Sequence, residues 1–256
     1  MIEARDLEFA YPSGPPVIRG VSMTLGRGVM GALIGPNGCG KSTLIRLLAG
    51  LLAPSAGSIL LHGTALGAIA SRDRPRLLAY VPQTIARAFP FTALEIVLTG
   101  RSPYLPRFAF EDRRDVDRAM QAMQTVGIAE LAGRPVTELS AGERQLVSLA
   151  RALAQEADLL LLDEPAASLD LKHRTVIIRR LAELRARCSL TVLLVTHDLS
   201  MLASEFDMVF AMRHGALAAV GPPQETLRES VLAEVYDDNQ LRVRCVDGRT
   251  FIWSEV

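Results

Sequence analysis

Gly35-Pro36-Asn37-Gly38-Cys39-Gly40-Lys41-Ser42 is the stretch on which the reading of this chain turns. It fits G-x-x-x-x-G-K-[ST], follows the β-prone run 29–34 and opens onto a helix-patterned run, 42–52, closed by Pro54. Glycines at this spacing let successive backbone N–H groups turn inward around a phosphate, and the helix N-terminus behind them adds positive partial charge. On that reading Lys41 reaches the terminal phosphates and Ser42 ligates Mg²⁺. Strand, glycine-rich turn and helix in this order begin an α/β fold.

Upstream, residues 2–10 and 17–25 read as strands, punctuated by Pro12, Gly14, Pro15 and Pro16, with Gly26 and Gly28 before the third strand. Downstream, 58–62 and 77–81 read as further strands. From Glu95 to Ala154 the pattern changes to a helical period rich in charge, including Glu111, Asp112, Arg113, Arg114, Asp115, Asp117 and Arg118. This reads as a helical insertion whose charges fit a solvated, ion-paired face. Two unbroken apolar runs follow, 159–162 and 190–195, as strands buried on both faces of a parallel sheet require, with a crossover helix over 171–187. His214-Gly215 and Asp247-Gly248 read as hairpin turns.

The chain has 256 residues, with 28 Lys and Arg against 28 Asp and Glu. Zero net charge argues against a nucleic-acid partner. A hydrophobic share of 49% and a mean hydropathy of +0.23 call for a search for a membrane span. The best candidate, residues 47–71, carries no Asp, Glu, Lys or Arg, but Pro54, Ser55, Gly57, Ser58, His62, Gly63 and Thr64 break it. A span needs roughly 20 unbroken apolar residues. Glu3, Arg5, Asp6 and Glu8 stand where a secretory signal would be apolar, so the chain is expected to stay in the cytoplasm. Cys39, Cys188 and Cys245 form neither a disulfide framework nor a zinc pattern. Cys39 reads either as a small loop residue or, beside Lys41 and a helix N-terminus, as a thiol of lowered pKa open to alkylation.

The run 159–162 ends in Asp163-Glu164, two carboxylates at the C-terminal end of a buried strand, where α/β sheets bind ligands. Asp163 suits the Mg²⁺ shell and Glu164 suits polarising an attacking water. Kinases, GTPases and many ATPases share these parts. What discriminates is Leu139-Ser140-Ala141-Gly142-Glu143-Arg144-Gln145. Ser140 and Gly142 begin a helix running to about Ala154, which is an anion site, a capping box of S-x-x-E spacing, or both.

With these motifs in hand, the chain resembles the ATP-binding cassette (ABC) superfamily along nearly its whole length. Leu139 to Gln145 is similar to the family's LSGGQ signature, with Ala141 where glycine is usual. Gln83 is placed like the Q-loop glutamine, Ser168-Leu169-Asp170 like the D-loop, His197 like the switch histidine and Tyr11 like the adenine-stacking aromatic. The resemblance implies a P-loop α/β core with an N-terminal antiparallel β subdomain and an inserted α-helical subdomain. Its bounds are 1–86 and 155–240 for the core, 87–154 for the helices and 241–256 for a β-hairpin tail. It implies ATP and Mg²⁺, with catalytic roles for Glu164, His197 and Gln83. Nucleotide contacts fall at Tyr11, Gly35, Pro36, Asn37, Gly38, Cys39, Gly40, Lys41, Ser42, Thr43, Asp163, Ser140 and Gly142, and metal contacts at Ser42, Gln83 and Asp163. It also implies two copies paired head to tail and a transmembrane permease docking near residues 87–110 on the cytoplasmic face of the membrane. A substrate-binding protein is the indirect partner. Gly100, Arg101, Pro103 and Tyr104, with the Glu143-Arg144-Gln145 ending of the signature, are similar to ATPases that import ferric siderophores, haem or cobalamin. Other small-solute or metal-ion importers, or a soluble cassette acting on DNA or ribosomes, are the alternatives.

Overall fold

Alternation decides the first strand. In the computed structural model, which describes residues 1–83, 90–106, 110–165, 169, 171–199, 202–246 and 249–255, β1 (Ile2–Ala10) buries Ile2, Ala4, Leu7 and Phe9 and exposes Arg5, Asp6 and Glu8. The inward set shifts from even to odd positions because the register slips between Ala4 and Leu7. Asp6 stands there at φ +46°, with its N–H on the Ser22 hydroxyl at 2.8 Å. Such a bulge re-aims the strand without ending it.

In chain order there follow β2 (Pro16–Leu25), β3 (Met30–Ile34), α1 (Lys41–Leu48), β4 (Ala56–Leu61), β5 (Thr64–Ala65), α2 (Arg74–Leu77) and β6 (Leu78–Val81). Then come α3 (Ala93–Leu98), α4 (Arg113–Val126), α5 (Ala141–Ala154), β7 (Leu159–Asp163), α6 (Leu171–Cys188) and β8 (Thr191–Val195). The chain continues through α7 (Leu202–Glu205), β9 (Met208–Arg213), β10 (Ala216–Gly221), α8 (Pro223–Thr226), α9 (Glu229–Tyr236), β11 (Leu241–Val246) and β12 (Arg249–Ser254). Helix α1 stops at Leu48 rather than Leu52, since the Gly50 N–H returns to the Leu47 carbonyl (2.9 Å) and turns the chain before Pro54 is reached. The uncharged stretch 47–71 is thus helix end, turn and short strands. No helix among the described residues is long and apolar enough to cross a membrane.

The chain forms two compact units, Met1–Ile69 with Arg185–Val256, and Ala70–Leu184. The first holds the antiparallel sheet β2-β1-β4-β5 and the strands around β3. Strand β3 lies between β8 and β9, parallel to both, and β10 pairs antiparallel with β9 across the His214-Gly215 turn. Every residue of β3 and β8 is buried, as strands covered on both faces must be. The hairpin β11–β12 is paired as expected; its turn, Asp247-Gly248, lies outside the described residues.

In the second unit β6 and β7 run parallel, and α3, α4 and α5 each begin with a reciprocal capping box: Thr92 with Glu95, Asp112 with Asp115, and Ser140 with Glu143. Asp115 serves twice, for its other oxygen accepts from Arg101 Nε at 3.1 Å. Arg101, 6% exposed, also donates to the Ala154 carbonyl and to Glu156 Oε2, each at 2.7 Å, and lies 4.2 Å over the Tyr104 ring. Burial alone would lower the Arg101 pKa; Glu156 and Asp115 reverse this and hold it above its ordinary value. Gly100 lets this segment touch α5, since a Cβ there would stand 2.2 Å from the Arg151 carbonyl oxygen. Arg101 therefore ties the 3-10 turn Thr99–Tyr104 to α4 and to the end of α5.

Removing one partner of a buried ion pair leaves the other charge uncompensated. Arg101→Ala should lower the unfolding free energy of the full chain by about 3 kcal/mol in urea titration. A loss under about 1 kcal/mol, the range of an exposed pair, would contradict a buried tie.

Candidate active site

The phosphate loop leaves β3 at Ile34 and turns at once. Gly35 stands at φ +143°, and a Cβ on it would lie 2.2 Å from the Met212 carbonyl oxygen. Only glycine fits a backbone so turned and so closely backed. Gly38 and Gly40 also take positive φ, the arrangement that points consecutive N–H groups into one concavity. Gly40 caps α1 without a side-chain bond, so the helix presents its first N–H groups to the loop. Lys41 is 5% exposed, its ammonium on the carbonyls of Gly35 (2.8 Å) and Pro36 (2.9 Å). The loop therefore carries a buried cation ringed by backbone dipoles, which is a receptor for an anion. Ser42 and Thr43 follow in the first turn of α1. Tyr11 is 40% exposed; its hydroxyl lies 3.3 Å from Thr43 Oγ1 and its ring meets Phe9 edge-on at 4.9 Å. Part of that ring is thus left to stack on a ligand.

In the second unit, β7 delivers two adjacent carboxylates with different surroundings. Asp163 is wholly buried and accepts from the Tyr80 hydroxyl at 3.3 Å. Glu164, next in the chain, is half-buried and stands at φ +50°, a conformation costing an L-residue roughly 1–2 kcal/mol. Pro165 disfavours the right-handed helical alternative for the residue before it. Gln83, after β6, donates Nε2 to Glu164 Oε2 at 2.8 Å, which leaves its amide oxygen as the acceptor for a cation. Helix α5 reaches the same neighbourhood, as Gln145 Nε2 donates to the Pro82 carbonyl at 3.3 Å. Hydroxyl, carboxylate and amide oxygens, as supplied by Ser42, Asp163 and Gln83, are the hard donors that Mg²⁺ takes, so the residue types fit that ion.

Ser140 is exposed at the N-cap of α5 and its hydroxyl accepts from the Glu143 N–H at 3.2 Å. The Ser140 N–H holds the Glu143 carboxylate below the usual range. Ala141, in the first helical position, is exposed and is absent from the residues of positive φ. The methyl group replacing the usual glycine therefore carries no backbone strain there. Gly142 is half-buried in the same turn, and His197 is exposed just past β8. Of the D-loop residues Leu169 is buried, while Ser168 and Asp170 lie outside the described residues, as do 87–89 and 107–109 of the segment expected to dock a permease. Of the residues expected to be catalytic, Gln83 and Glu164 are in contact; Tyr80, which no motif singles out, bonds the neighbouring Asp163.

Residues 18–167 match the model of the ABC transporter family. A hemin import ATP-binding protein of Streptomyces coelicolor is 43% identical over 226 residues, 88% of this chain and 79% of that one. The ferric enterobactin transport ATP-binding protein of Escherichia coli is 36% identical over 205 residues, 80% of this chain and 76% of that one. Among solved structures, an ABC transporter assigned to the metal-chelate type, in an inward-facing conformation, superposes with a TM-score of 0.81 at 28% identity. The match covers 98% of this chain and 95% of that one.

The structure corrects the reactive reading of Cys39. The thiol is 6% exposed, and burial pushes its pKa up, outweighing the pull of Lys41 in the other direction. It is a small packed residue at the back of the loop, its Sγ 3.0 Å from where a Gly35 Cβ would stand. Cys188, by contrast, is exposed. Brief treatment of the native chain with iodoacetamide near neutral pH should therefore modify Cys188 at least about tenfold faster than Cys39, with the Cys39 rate climbing only above the ordinary thiol range. Mass mapping showing Cys39 labelled first would reinstate the activated thiol.

Proposed function

The chain belongs to the ABC transporter family, and from that membership we propose that it is the ATP-hydrolysing subunit powering uptake of a ferric siderophore, haem or cobalamin-type chelate through a partner permease. The observation that carries this reading is the trio at the end of β7: buried Asp163, strained Glu164, and Gln83 bonded to Glu164 at 2.8 Å. A hydrolase needs an oriented acceptor for the proton of water beside an anchored anionic site for a cation, and these residues supply both. The cargo class follows the hemin and ferric enterobactin relatives and the Gly100-Arg101-x-Pro103-Tyr104 segment.

In this reading the loop N–H groups and Lys41 bind the β- and γ-phosphates and Tyr11 stacks on the adenine. Ser42, Asp163 and Gln83 hold Mg²⁺, which when bound neutralises charge on the transferring phosphoryl group. Glu164 accepts the proton of the attacking water, its carboxylate oriented by Gln83, and His197 stabilises the γ-phosphate end of the site. Ser140 and Gly142 of a second copy complete the cradle, since one chain carries one phosphate loop and one signature. Two copies paired head to tail then form two composite sites and close on ATP. The permease docks near 87–110, which places the subunit on the cytoplasmic face of the membrane with the substrate-binding protein on the far side.

The test is the complete complex in proteoliposomes. A binding protein loaded with haem, a ferric siderophore or cobalamin should accelerate phosphate release. The same complex carrying Glu164→Gln should retain ATP binding and lose nearly all turnover, by a factor of about 10² or more. Stimulation by an unrelated solute alone would overturn the cargo class, and rapid turnover by the variant would overturn the role of Glu164.

A further inference from the structure

The back of the phosphate loop is built from the C-terminal part of the chain. The Met212 carbonyl of β9 stands against Gly35, and the Gly215 N–H donates to the Cys39 carbonyl at 3.0 Å. Helix α9 packs on β9, and its end is tied to that strand by Arg213 Nη2 on Asp237 Oδ1 at 3.3 Å. The last residue of α9, Tyr236, completes this wall. Its hydroxyl oxygen is buried with no hydrogen-bond partner among the described residues. Burial pushes the phenol up to about 12, while the Gly35 N–H pulls the other way and the Cys39 thiol adds to the rise. The Gly35 N–H is thus near enough to act on the phenolic oxygen, yet it does not close a bond.

A buried hydroxyl without a partner is a net cost, which phenylalanine in the same space would avoid. The nearby donor belongs to the peptide from which the loop starts, and hydrogen bonds at a binding site are often long before the ligand arrives and tighten with it. We propose that Tyr236 is a positioning residue for the phosphate loop: its hydroxyl accepts the Gly35 N–H when the loop closes on the nucleotide phosphates, fixing the peptide that starts the cradle. The same helix is anchored on its other side by Glu229 Oε1, which accepts the Val243 N–H of β11 at 3.0 Å. The C-terminal hairpin thereby has a physical line to the loop. This role rests on the reading of the chain as an ATPase.

Tyr236→Phe deletes one oxygen and keeps the ring. The full-length variant should melt, without nucleotide, at an unchanged or higher temperature. It should bind the non-hydrolysed ATP analogue AMP-PNP with Mg²⁺ about three- to tenfold more weakly, the span of one neutral hydrogen bond. KM for ATP should rise by a similar factor while kcat holds, as loss of uniform binding requires. In the wild-type chain the Gly35 amide proton should move downfield when Mg–AMP-PNP is added, and in the variant it should not. Equal affinities, or the same Gly35 response in both proteins, would overturn the role of Tyr236. If the variant loses stability, the wild-type resonance still decides, because a Gly35 proton that does not move downfield overturns the proposal. A wild-type chain that binds no nucleotide would sink the ATPase reading, and this inference with it.

Discussion

The approach of the Met212 carbonyl to Gly35 fixes where the glycine-rich loop starts. Strand β3 is held from both sides by parallel partners, β8 and β9, so the backbone emerging at Ile34 has no freedom of direction. A side chain on Gly35 would collide with β9, and the chain has to turn there. That turn places Gly38, Gly40 and the first N–H groups of α1 around one concavity and brings Lys41 back onto the loop's own carbonyls. The energy that fixes the loop comes from the apolar strands beneath it.

The second unit solves a different problem, presenting acids at the end of a buried strand. Four consecutive leucines, 159–162, drive β7 into the interior and carry Asp163 with them. The strand then breaks at Glu164, whose left-handed backbone precedes Pro165 and leaves its carboxylate half-exposed within reach of Gln83. Asp163 and Glu164 are adjacent, yet one carboxylate is wholly buried and the other half-buried against Gln83, so neighbouring side chains of the same chemistry have different surroundings. The charged network around Arg101 and the three capping boxes hold α3, α4 and α5, the last of which presents Ser140 at its N-cap.

Local rules make much of this legible in the residues alone. The glycine spacing, the apolar runs 29–34, 159–162 and 190–195, and the Ser140–Glu143 box each obey such a rule, and each appears where the rule places it. What stays hidden depends on tertiary surroundings. Arg101 and Asp115 sit in a charge-rich helical pattern that reads as a solvated face, and only packing reveals that both are buried. Cys39 has the neighbours of a reactive thiol, but burial outweighs them. The left-handed turn at Glu164 is hinted at by Pro165 alone. Tyr236 lies far along the chain from the loop it backs, and no local pattern announces that contact.

Each chain carries one Lys41 and one Ser140, and in the proposed head-to-tail pair a working site takes them from different copies. Mixing Ser140→Arg chains with Lys41→Ala chains separates a shared site from one built within a single chain. In the mixed dimer one site joins an intact loop to an intact signature and the other joins two damaged halves. Phosphate release by the mixture should therefore rise clearly above that of either variant alone. If the mixture stays as inactive as its components, each chain builds its site from its own residues, and the composite arrangement is wrong.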